Sequence, residues 1–245
     1  MMTTEKQERV DLSNGASASV PLGVLAALLA AWLMVSSSVD AASFDCEKAA
    51  SSVEKMICAD PELSPLDEYL GRYYAAARTT LAHADTCLAT DQRNWLRTSR
   101  NACKDAACLK QSYLKRLAVL DALQPGTSSV RNIELPREMP LVWIVPPALD
   151  EIAAPRDGPT RPLIVRGTLR DDIADGDGYV IQDSNGDKHL ILLLMFLESV
   201  TTNALSDLAR APNAIYEARG RSDISSEGGV HFSPGHCTFV YRVSP

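Results

Sequence analysis

The sequence predicts two parts in series: an all-α, disulfide-stapled small helical bundle, then a small, mainly β domain. Three observations carry this. Apolar residues recur at three- and four-residue steps between Phe44 and Leu120, the signature of helices that bury one face. Four of the six cysteines, Cys46, Cys58, Cys103 and Cys108, fall in that same stretch. Beyond a breaker-rich joint the period shortens to the alternation and hairpin signals of strands. A chain of 245 residues divided this way leaves each part near the size at which a core alone suffices, so staples are expected to matter.

The division reads as follows: 1–41 signal peptide, 42–124 helical domain, 125–140 linker, 141–245 β-rich domain. Lys6 and Arg9 precede an uncharged run from Val20 to Val35, and small residues follow, with Val39 and Ala41 placed for cleavage after Ala41. That run is shorter than the ~20 residues a spanning helix needs, so cleavage, with no stable membrane insertion, is the expectation. Ser43-Phe44-Asp45 lacks the small residues that a lipid-attachment site before Cys46 would require. The mature chain is therefore expected in the periplasm or secreted, where cysteines pair.

Within 42–124, Ser51 followed by Glu54 is a capping box that opens a short helix, ended by Asp60-Pro61. Ser64-Pro65 is a second start, and Leu66, Leu70, Tyr73, Tyr74, Ala77 and Leu81 then mark one face, fraying near His83. Leu88, Gln92, Trp95, Leu96 and Ser99 line a third helix. From Ala106, Leu109, Tyr113, Leu117, Leu120 and Leu123 line a fourth, stopped by Pro125-Gly126.

These residues carry a resemblance. Cys46, Glu54, Cys58, Asp67 and Tyr73, followed by Gln92, Trp95, Arg100, Cys103, Cys108, Tyr113 and Arg116, resemble in order and spacing the LprI-type lysozyme inhibitor domain of bacterial envelope proteins. The likeness covers residues 44–123; Cys87 stands outside the pattern. It implies an exported, disulfide-stapled helical domain whose function is to bind and block a lysozyme, of c-type by expectation. Geometry favours pairing neighbours: Cys46 with Cys58 across the first short helix, and Cys103 with Cys108 at the corner between helices three and four. Cys87 and Cys237 are left, either to pair across the two parts or to stay buried and reduced. Inhibitors of the Ivy type present a loop between two cysteines with four residues between them, as in Cys103-Lys104-Asp105-Ala106-Ala107-Cys108. By that likeness Lys104 and Asp105 are candidate partner-binding residues, and Asp60 and Glu62 form an acidic patch near the start of helix two. Asp67 is expected to cap that helix or to pair with Arg100 or Arg116.

In the second part, Leu163–Leu169, Tyr179–Gln182 and Lys188–Leu192 read as strands, the last two joined by a turn carrying Asn185-Gly186. Glu198–Ala211 is a helix capped by Ser199 or Thr201. Ala214–Ile224 and His236–Val243 are two more strands, and Leu141–Val145 is an extra strand or a packing arm. Three strands, a helix and two strands is the order of an OB-type barrel.

Charge excludes some partners. The chain carries 24 basic and 31 acidic side chains with no basic cluster, which argues against nucleic acid. Residues 42–124 hold eleven of each sign, whereas 125–245 hold eleven basic and sixteen acidic, so the acidic excess of the mature chain lies in the β part. That part is the one that steers a basic protein. No metal or cofactor is expected. Asp171, Asp172, Asp175, Asp177, Asp183 and Asp187 are turn residues rather than a calcium loop, since Lys188 stands where the turn glycine belongs. His231, His236 and Cys237 do not make a zinc set, because neighbours on a strand face opposite ways. No nucleophile motif is present and Glu47, Glu54 and Glu62 are not placed in a common cleft, so a non-enzymatic protein is expected. The alternative is an envelope binding or assembly module whose β-barrel takes a glycan or a protein.

Overall fold

In the computed structural model, the structure describes residues 42–124, 133–148, 160–172, 178–193, 197–211, 213–224 and 230–243. The expected signal peptide, the breaker-rich start of the joint at 125–132, and Asp175 and Asp177 lie outside the described residues.

The helical half begins with a 3₁₀ turn at Cys46–Lys48, then α1 at Ser52–Ala59. The capping box forms: the Glu54 amide donates to Ser51 Oγ at 3.1 Å, and the Ser51 amide donates to Glu54 Oε2 at 2.8 Å. Val53 and Ile57, four apart, are its buried face. Helix α2, Leu63–Thr80, starts one residue before the expected Ser64-Pro65 signal. The Asp60 carboxylate explains why: its Oδ1 accepts from the amides of Glu62 (2.8 Å) and Leu63 (3.1 Å), satisfying donors at the helix start. Pro65 still falls in the first turn, where its missing N–H is no loss. Leu63, Leu66, Asp67, Leu70, Tyr73 and Ala77 form one buried stripe.

A 3₁₀ turn at Ala82–Ala84 leads to α3, Asp85–Trp95, which widens into a π-turn at Leu96–Arg100. Helix α4, Ala106–Leu120, is capped by Asp105, whose Oδ1 accepts from the Cys108 amide at 2.8 Å, and it ends in a 3₁₀ turn at Asp121–Leu123.

The second half is antiparallel: β1 Leu141–Val145, β2 Pro162–Asp172, β3 Gly178–Gln182, β4 Lys188–Leu193, helix α5 Ser199–Ala209, β5 Tyr216–Ile224, β6 Val230–Phe232 and β7 Thr238–Arg242. The order in the sheet is β1-β7-β5-β2-β3-β4, with β6 on β5. Leu141–Val145 is thus a true edge strand on β7. The turn between β3 and β4 places Gly186 at φ +90°, where a side chain is strained. Helix α5 differs from expectation at its start: Glu198 precedes it in extended conformation without a side-chain cap, and Thr201 is fully buried inside it.

Strand β2 changes partner in mid-course. Pro162 to Gly167 pair with β5, and Thr168 to Asp172 pair with β3. At the switch a Cβ on Gly167 would come within 1.9 Å of the Gln182 carbonyl, so only glycine permits the bend. The bend starts a curl, yet the expected barrel does not close. Strand β6, absent from the sequence reading, faces β4 through side chains instead of a backbone ladder. His189 Nδ1 lies 3.0 Å from the Val230 carbonyl, and the Leu190 amide donates to His231 Nδ1 at 3.1 Å.

One continuous core runs from Val53 in α1 to Tyr241 in β7. The halves meet where His83 stacks on Trp143 (centroids 4.4 Å apart, 14° between planes) and its Nε2 donates to the Ile144 carbonyl at 2.9 Å. Cys87 and Cys237 join beside this contact as a disulfide 150 residues long. Cys46–Cys58 and Cys103–Cys108 are also bonded.

Candidate functional site

The residues singled out by sequence pattern separate into a buried polar framework and an exposed end of the bundle. The framework has two centres. Asp67, 3% exposed, projects from α2 into the bundle and is surrounded by donors. Its Oδ2 accepts from the Ser43 amide at 2.9 Å and from the Ser43 hydroxyl; its Oδ1 accepts from Tyr113 Oη at 2.6 Å, with Arg100 Nη1 3.7 Å away. Of the expected partners, Arg100 is present and Arg116 is not. Burial, then the Asp67 charge, pushes the Tyr113 hydroxyl far above its ordinary range, which keeps it a donor. Trp95 packs edge-on against Tyr113, centroids 5.6 Å apart, and Tyr73 donates to Asp121 at 3.1 Å.

The second centre holds Arg116, 6% exposed, on α4. Its Nε donates to Gln92 Oε1 at 2.9 Å, and its Nη1 lies 2.7 Å from Asp91 Oδ2, an ion pair by distance although off the line of a hydrogen bond. Tyr241 of β7 senses this centre: burial, then the Asp91 charge, raises its hydroxyl to about 12. Glu54 plays a separate part, capping α1. Its carboxyl is held below the usual range by the amides of Ser51 and Ala50. These residues are structural in their contacts, and Asp67 spends both carboxylate oxygens on neighbours within the bundle.

The exposed end comprises Lys104 and Asp105, in the loop closed by Cys103–Cys108, and the α1–α2 corner. Lys110 Nζ, one turn into α4, is 2.7 Å from Glu62, so this ion pair draws Asp60 and Glu62 to the same end as the loop. Asp105 and Asp60 both spend a carboxylate oxygen on capping. Lys104 remains the exposed cation of the loop.

Among the described residues, Asp183 acts as a turn residue and Asp172 as an ion-pair residue of the β half. Asp183 accepts from the amides of Asn185 (2.9 Å) and Asp187 (3.0 Å), and Asp172 pairs with Lys188 at 2.9 Å. Burial would raise the Asp183 carboxyl, but hydrogen bonds from His189 and those two amides bring it below its ordinary value. Among the described residues no group of three His, Cys, Asp or Glu side chains is placed to hold a metal ion. Ser43, His83, Asp91 and Tyr241 escaped the sequence reading. Each acts across more than 20 residues of chain, beyond any local periodicity.

A helical module with two short-loop disulfides, a buried polar interior and an exposed cystine loop defines the class: a stapled scaffold that presents its corners. Comparison with curated proteins agrees over part of the chain. It is 33% identical over 92 residues to lipoprotein LprI of Mycobacterium bovis and of two strains of Mycobacterium tuberculosis, CDC 1551 and H37Rv. The match covers 36% of this chain and spans 45%, somewhat under half, of the length of those relatives. A distant LprI-like relationship is thereby supported for that segment, and the C-terminal half has no such support. No family model and no solved structure matches.

Proposed function

We propose that the chain is an exported, non-enzymatic protein of lysozyme-inhibitor type that binds and blocks a lysozyme, c-type by preference, through the exposed end of its helical half. The observation that carries this reading is the 33% identity to LprI over 92 residues, on a chain whose helical half is stapled by Cys46–Cys58 and Cys103–Cys108. Three disulfides favour an oxidising compartment, periplasmic or extracellular, and among the described residues no helix is long and apolar enough to cross a membrane. Lys104 is the cation that would approach the acidic cleft of the enzyme, with Asp105, Asp60 and Glu62 around it. The acidic β half would speed encounter with a basic lysozyme.

The β2-β3-β4-α5-β5 order, with β6 brought to β4 by His189 and His231, supports an OB-like arrangement for the second half. The test is lysis of a Gram-positive cell suspension by c-type lysozyme in the presence of residues 42–245. Inhibition is expected at micromolar concentration, weakening as salt rises, and Lys104→Ala should reduce it about tenfold, the size of one well-placed charge contact. Full lytic activity with the chain present at tens of micromolar rejects the reading.

A further inference from the structure

A second feature of the helical half adjoins the framework at Trp95 and Arg116 and the loop at its disulfide. Between the π-turn after α3 and the outer face of α4 is a concave site of about 430 Å³. Trp95, Val119 and the Cys103–Cys108 disulfide give it an apolar wall; Ser99, Ser112, Lys115 and Arg116 give it polar ones.

The chemistry of that wall is unbalanced. Arg116 is 6% exposed and uses Nε and Nη1 on Gln92 and Asp91, but its Nη2 is buried without a hydrogen-bond partner. Four residues before it on α4, so one turn away on the same face, the buried Ser112 Oγ also has no partner. A guanidinium N–H and a hydroxyl left without acceptors cost folding free energy unless an acceptor is supplied. Lys115, exposed at the edge, adds a mobile cation. Donors on one side and apolar surface on the other select for an acid with an apolar body. Asp91, on the far edge of the same guanidinium, disfavours a dianion such as phosphate.

We propose that this cleft binds a small monocarboxylate, its oxygens accepting from Arg116 Nη2, Ser112 Oγ and Lys115 Nζ, its body lying on Trp95, Val119 and the disulfide. The inference does not rest on lysozyme inhibition. A free carboxylate of this kind can come from an aromatic or aliphatic acid or from a carboxylated amino sugar, and the probes separate the two.

The test uses isotope-labelled chain 42–245, read at the Trp95 indole N–H and the Arg116 Nε–H, with the Trp143 indole as an internal control. The probes are 3-phenylpropionate against 3-phenylpropionamide, and N-acetylmuramic acid against N-acetylglucosamine. At least one acid is expected to give saturable shifts at Trp95 and Arg116, with a Kd on the order of 1 mM for so small a ligand, and its neutral counterpart to bind at least about tenfold more weakly. Lys115→Glu, at an exposed position outside the core, should raise the Kd about five- to tenfold without moving the unfolding midpoint. Saturation by only one acid identifies the source. Equal binding of acid and neutral analogue, no saturable shift at Trp95 with either acid to about 20 mM, or a Kd unchanged in Lys115→Glu would overturn the proposal.

Discussion

The two halves of the chain solve the burial of charge in opposite ways. In the helical half Asp67 sits at 3% exposure inside a shell of donors from three separate segments, at Ser43, Arg100 and Tyr113. In the sheet half Glu217 is comparably buried at 7%, yet its partners Arg166 (3.1 Å) and Arg219 (2.7 Å) are themselves 57% and 42% exposed. The first arrangement locks helices to one another. The second covers a sheet face that water still reaches. The lesson is that the residues which make the helical half resemble a family are mostly those that hold it together, so the resemblance transmits the scaffold more directly than the surface that would meet a partner.

Removing the two carboxylates breaks that comparison most sharply. Asp67→Ala strands the Tyr113 hydroxyl in the interior and takes the carboxylate away from Arg100, and should cost about 3–5 kcal/mol in urea unfolding. Glu217→Ala, with half-exposed partners, should cost about 1 kcal/mol or less. Equal losses would mean that the helical centre is no more rigid than the sheet face.

The tie between the halves comes next. The double substitution Cys87→Ser and Cys237→Ser should lower stability by about 2–4 kcal/mol. Because His83, Trp143 and Ile144 remain packed, calorimetry should still show a single transition. Two separated transitions would show that the disulfide alone couples the halves.

Alkaline titration distinguishes the two polar centres by their tyrosines. Tyr113 and Tyr241 both have hydroxyls raised above the ordinary value of 10.0, Tyr241 to about 12. A raised folded-state value means that their contribution is fully present below pH 10 and is lost as pH climbs through the folded value. Each group should add a slope of about 1.4 kcal/mol per pH unit above pH 10. In Tyr241→Phe the loss between pH 10 and 12 should become shallower by that amount. An unchanged slope would place Tyr241 in contact with water.

The smallest effect is expected at the exposed end. Glu62→Gln removes the ion pair with Lys110, whose side chains are 68% and 45% exposed, and should change stability by less than about 1 kcal/mol. A larger loss would make this pair a structural clamp and remove it from the group of residues free to meet a partner.

Local signals were legible in the chain wherever a few neighbouring residues decide the outcome. The Ser51–Glu54 capping box, the stop at Asp60-Pro61, the apolar stripe from Leu66 to Ala77, the Asn185-Gly186 turn and most strand positions depend on periodicity and turn chemistry alone. Short-range disulfides belong with them, since Cys103 and Cys108 are five residues apart. Only the tertiary structure decided that Asp67 takes Ser43, Tyr113 and Arg100 while Arg116 goes to Gln92 and Asp91. It alone decided that Cys87 reaches Cys237, that β2 changes partner at Gly167, and that His189 and His231 join β4 to β6 where a barrel would have closed. The physical reason is common to these cases. Hydrophobic period sets which face of an element turns inward, but which polar groups then share the interior depends on how distant elements pack, and a buried charge takes whatever donors that packing delivers.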